Sequence, residues 1–242
     1  TRMKNFKAVF KNDWANLYKY RIFHMIIIVS IIFALAMGFF PEINPLLFIY
    51  LSLFIIPVIS HSITLFIEQE EDTLFPISEE KRRIYQVLPA KLLSAISLQL
   101  IPLLFYILIF IFVLNVNFSI ILFILTYMLS ISLHMVIAFS ITILAKSHKS
   151  ISLTYIGYII IFSLIPFIYL MNLMPEGLDY VFVFSPAYLA HVLFDNITFG
   201  YLFSDKLLIV LAVLLQLIVP AVLTLFVIVP YYRKGLNKNL RG

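Results

Sequence analysis

The sequence predicts an all-α membrane protein with six transmembrane helices. Three observations carry this. Of the 242 residues, 63% are hydrophobic and 12% charged, about half the charged share of a soluble domain. In water such a chain would expose large apolar patches and aggregate. Its apolar residues gather into six runs without Asp, Glu, Lys or Arg. Each run is close to or above the ~20 residues that cross a ~30 Å hydrocarbon core. Between the second and third runs lies the segment 68–91, in which ten of 24 residues are charged. It cannot sit in hydrocarbon and is expected in water beside the membrane.

The whole chain reads as one transmembrane domain, 1–242. Met3 is read as its natural start, with Thr1 and Arg2 as a leading scar. No cleavable signal peptide is visible, because the first apolar run begins only near residue 22 and is long enough to span. Residues 3–21 form a basic amphipathic helix. Met3, Phe6, Val9, Phe10, Trp14 and Leu17 fall on one arc, and Lys4, Lys11 and Lys19 oppose it. Asp13 interrupts the apolar arc. Such a helix, with its single Trp on the apolar side, belongs in the membrane interface.

The spans are expected at Ile22–Phe40, Pro45–Ile67, Leu92–Leu114, Phe118–Ala145, Ile151–Met171 and Leu207–Pro230. Spans one and two thus cover 22–67, spans three to five 92–171, and the sixth 207–230, before a tail at 231–242. Pro57, Pro102, Pro166 and Pro220 lie inside spans, where each removes a backbone donor and can kink its helix. With the N-terminus inside, sixteen of the 17 Lys and Arg fall on the cytoplasmic side and Lys206 alone outside. That bias places both termini in the cytoplasm of a multi-pass plasma-membrane protein. Pro41–Asn44 and Asn115–Asn117 are then short outer turns.

The outer segment 172–206 differs. Its centre, 180–194, is apolar yet too short to cross, as in interfacial or re-entrant helices. Ser185-Pro186 divides it. Phe184, Ser185, Pro186, Tyr188 and His191 form a candidate outer gate. Asn196-Ile197-Thr198 matches a glycosylation acceptor, a weak three-residue pattern.

Several chemistries are excluded. The chain has no cysteine, hence no disulfide, thiolate metal site or thiol catalysis. The net charge of +5 is the ordinary basic flanking of membrane spans, not a nucleic-acid signal. The spans offer only His24, His61 and His134 as ionisable groups. His134 is mid-span with no carboxylate near it in sequence, and a hydrogen bond to a neighbouring helix is its expected role. The run Glu79–Arg83 has the wrong spacing and setting for an intramembrane protease. No catalytic residue and no metal site is expected. Without a phosphate-binding loop the chain cannot hydrolyse ATP as a P-loop enzyme. Without a midplane carboxylate a gradient-driven carrier is disfavoured.

The loop 68–91 then reads as a docking element. Ser78 caps a short helix, Glu79 and Glu80 stand in its first turn, and Lys81, Arg82 and Arg83 follow. Ile84, Tyr85, Val87 and Leu88 give it an apolar side. Pro89 ends or kinks it before Lys91 enters the third span.

In this order the chain resembles the permease subunits of ABC-2-type exporters, over essentially its whole length. The amphipathic helix Met3–Arg21 matches that family's interface helix. Glu68, Glu71, Thr73, Leu74, Pro76, Ile77, Ser78 and Lys91 follow its acidic motif and the start of its third span. Ser185-Pro186-Ala187-Tyr188 matches its outer segment. Asp72 stands where the family usually has Gly, Thr73 to Pro76 is shorter than usual, and Pro76 to Lys91 is longer. The resemblance implies export of a drug, antimicrobial peptide or lipid. It implies docking of two ATP-binding subunits through Ser78, Glu79, Glu80, Arg82, Arg83, Ile84 and Tyr85. It also implies a second permease copy, with ATP and Mg bound on the motor subunit and no cofactor in this chain. A non-transporting immunity or assembly factor of the same fold is the alternative.

Overall fold

Ridges of Ile, Leu and Phe with no competing polar periodicity produce long helices, and a computed structural model of the chain is built of them. It describes residues 2–40, 42–58, 60, 64, 67, 84–145, 148–173, 175, 177–200 and 205–231, the side chains of 2–5, 84–88 and 148 aside. Helix α1 is Arg2–Lys19, α2 Ile22–Phe39, α3 Leu46–Pro57, α4 Ile84–Leu98, α5 Leu100–Phe112 and α6 Ile120–Leu144. Helix α7, His148–Ile159, runs through a π turn, Ile160–Leu164, into α8, Ile165–Leu170. A 3₁₀ turn, Phe182–Phe184, precedes α9, Pro186–Thr198, and α10 is Lys206–Leu223 with a π turn at Thr224–Ile228. No strand occurs among the described residues.

Five helical stretches are long and apolar enough to cross a membrane: Ile22–Phe39, Pro89–Phe112, Ile120–Leu144, Lys149–Leu170 and Lys206–Tyr231. They lie close to five of the six expected runs. Of the remaining run, Pro45–Ile67, the described regular helix is the 12-residue α3; most of its second half lies outside the described residues. Helix α6 is central. It packs on α3, α4, α9 and α10, and half of its most apolar stretch is buried. Helix α2 packs on α3 and α5, and α1 on α4. The main core joins Met37, Leu53, Tyr106, Phe110, Phe123, Tyr127 and Phe194. Ile28, Ile32 and Leu35 on α2, with Leu214, Leu217 and Phe226 near the chain's end, face outward. These apolar outer faces suit contact with hydrocarbon.

The prolines explain the helix breaks. A proline gives no N–H to the carbonyl four residues earlier. Pro102 leaves the Leu98 carbonyl without its helical donor, and there the third run divides into α4 and α5 at Gln99. Pro166 does the same to Phe162, inside the π turn. Side chains from elsewhere occupy the loosened carbonyls. Ser185 Oγ donates to the Phe162 carbonyl, and Tyr50 OH donates to that of Ser163 at 2.6 Å. Asn115 closes α5 in the left-handed region, φ 52°. Val116 N–H reaches back to the Phe110 carbonyl at 2.9 Å, across a left-handed residue of a type that Asn tolerates.

One expectation is corrected. Pro89 neither ends nor visibly divides a docking helix: α4 begins at Ile84 and runs through it. Pro89 stands early in the helix and is exposed, so only the Tyr85 carbonyl loses its helical donor. The apolar segment near 180–194 is expected as a short interfacial or re-entrant element, and in the structure it is enclosed by other helices. Its helix extends to Thr198, and all residues from Pro186 to Asp195 are buried, wedged among α3, α6 and α10.

Tyr50→Phe removes the donor to the Ser163 carbonyl and leaves that carbonyl buried. Thermal unfolding in detergent should show a loss of about 1–2 kcal/mol.

Candidate functional site

Of the expected docking set, Ser78, Glu79, Glu80, Arg82 and Arg83 lie outside the described residues, as do Glu68, Glu71, Asp72 and Thr73. Ile84 and Tyr85 open α4. What the structure describes is the frame to which that segment returns.

That frame is built by α1. Phe6 and Phe10 stack with ring centres 6.5 Å apart. Trp14 leans on Phe23 at 6.2 Å, and Leu17 is buried in a cluster with Ile22, Ile26, Ile56 and Leu98. The apolar arc read from the sequence is therefore covered, in part, by α2 and α4. Asp13 does not merely interrupt it. Its carboxylate is buried and 3.1 Å from Lys91 Nζ, with the two side chains 6% and 9% exposed. Ser94 Oγ donates to the second carboxylate oxygen at 3.1 Å. Spacing carries Lys91 and Ser94 on adjacent turns of one face of α4, so both reach the same acid. A lone acid on an apolar arc and a lone lysine beside an apolar run were the available signals. Each charge is costly to bury alone, and a partner offsets the cost.

A second constellation ties the wedge helix α9 to its neighbours. Ser185 caps it, accepting from Tyr188 N–H at 3.3 Å, with Pro186 in the first turn. Asp179 accepts from Tyr188 OH at 2.7 Å and Tyr169 OH at 2.9 Å. Tyr180 OH donates to Asp205, whose other oxygen caps α10 by accepting from Leu207 N–H at 2.8 Å. Consecutive residues 179 and 180 thus bind the segment to α8, α9 and α10. Of the expected gate residues, Ser185, Pro186, Tyr188 and His191 are buried and Phe184 alone is exposed. Phe184 meets Phe162 edge-on at 5.9 Å. His191 lies edge-on to Tyr50 at 6.4 Å, and burial lowers its pKa to about 3, so it is neutral at pH 7. Burial and the bond to Asp179 push the Tyr188 hydroxyl far up. The sequence reading did not single out Asp179, Tyr169 or Asp205 as partners of this segment.

His134 corrects another expectation. Its Nδ1 bonds the Ser130 carbonyl of its own helix at 2.8 Å, not a neighbouring helix. The link outward is made by Ser130, whose Oγ donates to Gln216 Oε1 of α10 at 3.0 Å. Among the described residues no group of three or more His, Cys, Asp or Glu is placed to hold a metal ion. One buried ion pair joins α1 to α4, and one polar strap holds the wedge. Compared with protein-family models, curated proteins and solved structures, the chain gives no match.

Removing one member of the ion pair leaves the other buried. Asp13→Ala or Lys91→Ala should each cost about 3 kcal/mol in unfolding experiments, and the double variant less than the sum.

The strap should respond to pH at both limits. The Tyr180 hydrogen bond, followed by the Leu207 N–H, holds Asp205 below its ordinary 3.8, so this contribution is present above about pH 4 and lost as acid protonates Asp205. The same bond raises Tyr180 above its ordinary 10.0, so that contribution is lost in strong alkali. In Tyr180→Phe, an NMR titration of the Asp205 carboxyl should move up toward 3.8.

Proposed function

We propose that this chain is the membrane-spanning permease subunit of an ATP-driven exporter. It would cross the plasma membrane six times with both termini in the cytoplasm. A separate ATP-binding subunit, in two copies, supplies the energy and holds ATP and Mg. A second permease copy completes the pathway, and the cargo is amphipathic or hydrophobic: a drug, an antimicrobial peptide or a lipid.

The observation that carries the reading is the Asp13–Lys91 pair. Lys91 follows the charged 68–83 segment by two helical turns along α4. A push delivered to that segment would enter a helix clamped to α1, instead of dissipating in a loop. The motor dimer closes on ATP and displaces the segment. Helices α1 and α4 move together, and the permease halves switch between two arrangements biased by nucleotide. The order of the interface helix, acidic motif, Lys91 and Ser185-Pro186-Ala187-Tyr188 along the chain supports the same reading.

Co-expression with the candidate ATP-binding subunit tests it. A complex should co-purify and be weakened at least tenfold by Glu80→Ala, Arg83→Ala or Tyr85→Ala, the loss of about 1.4 kcal/mol. A complex indifferent to all three moves the contact elsewhere in 68–91. Absence of any complex overturns the exporter reading in favour of an immunity or assembly factor.

A further inference from the structure

We infer that the outward face of α1 binds the headgroups of anionic lipids and prefers them to zwitterionic ones. The inference needs only that the apolar helices cross a bilayer, and holds whether or not the chain is an exporter.

The face follows from spacing and burial. Between Arg2 and Arg21 the sequence holds six basic residues and one acid, Asp13. Lys7 and Lys11 are one turn apart, and Tyr18 returns to the same side of the helix two turns later. Lys11 and Asp13, two residues apart, point to opposite sides. Lys7, Lys11, Tyr18, Lys19 and Arg21 are all exposed, whereas Asp13 and Leu17 are buried. Asp13 is turned inward onto Lys91 at 3.1 Å. The ion pair thus has a second consequence. It withdraws from the outer face the one charge of α1 that would repel an anion, and leaves that face to cations.

The fold holds this face at headgroup level. Lys91 is the third residue of the apolar stretch Pro89–Phe112, so Asp13 is tied to the mouth of that span. At its other end α1 reaches the stretch Ile22–Phe39 with only Tyr20 and the left-handed Arg21, φ 60°, between. Helix α1 is therefore fixed where hydrocarbon ends. Trp14 lies 6.2 Å from Phe23, and Tyr18 5.2 Å from His24; Trp and Tyr are the residues enriched at that level. Lysines there extend their stems and place their ammonium groups among the phosphates. A zwitterionic headgroup brings its own cation to its phosphate and gains little from them. An anionic headgroup has none, and each lysine near it adds attraction.

Trp14, the chain's only tryptophan, tests this. It stands three residues from Lys11 and four from Tyr18, so it borders the face. The full chain is placed in nanodiscs of phosphatidylglycerol and phosphatidylcholine, with bromines on the acyl chains of one lipid or the other. Quenching of Trp14 then reports which lipid lies beside it. At low salt the anionic lipid should be preferred about fivefold or more, the weight of one lysine at a charged surface. The preference should fade as salt shortens the screening length from about 30 Å at 0.01 M to about 3 Å at 1 M. The combined substitution Lys7→Gln, Lys11→Gln and Lys19→Gln should reduce it about threefold or more, with quenching by phosphatidylcholine retained because α1 keeps its place. Equal quenching by the two lipids in the native chain would overturn the inference and leave the face to an acidic protein surface. So would a preference indifferent to salt, or one untouched by the triple substitution.

Discussion

Asp13 and Lys91 meet across a contact between elements separated by 78 positions in sequence. Neither charge is tolerable alone where it lies. Helix α1 is too basic and too polar to bury itself by hydrophobicity. Its carboxylate finds a site only because α4 brings Lys91 and Ser94 to the same place. The pair in turn fixes which face of α1 meets the bundle, and Trp14 and Leu17 follow onto α2 and α4. In the proposed exporter this pair is what would make α1 and the start of the third span a single moving part.

Elsewhere in the bundle, polar atoms are rationed by backbone need. Prolines and π turns release carbonyls, and hydroxyls take them up: Ser185 serves Phe162 and Tyr50 serves Ser163. The same hydroxyls hold the wedge helix α9 and helix α3 against the irregular middle of α7–α8. Irregular backbone is tolerable at membrane depth only where protein or trapped water satisfies it. Packing and polarity are therefore not separate tasks here, since the residues that repair the breaks also determine how the helices sit.

Much of this was legible in the sequence. The uncharged runs place helices to within a few residues, as Ile22–Phe40 against the observed Ile22–Phe39, because a bilayer's length requirement leaves little freedom. Ser185-Pro186 marks the start of α9 through capping chemistry that is local. What was illegible is non-local or lacks periodicity. Asp13 looked like a flaw in an amphipathic arc because its partner is far along the chain. Residues 186–195 are apolar almost all round, so no pattern shows which side is covered; the structure buries all of them. Pro89 read as an end or a kink, yet α4 runs on through it to Leu98. His134 turned to the Ser130 carbonyl, one turn back on its own helix.

The central claim is that the ion pair locks α1 to α4 as one body. The chain has no native cysteine, so spin labels can be attached singly at Lys11 and Leu93, both on exposed positions. Pulsed electron-spin distance measurement in nanodiscs should give one narrow distribution in the otherwise native chain. Lys91→Ala should broaden it. A broad distribution with the pair intact, or an unchanged narrow one without Lys91, would contradict the account.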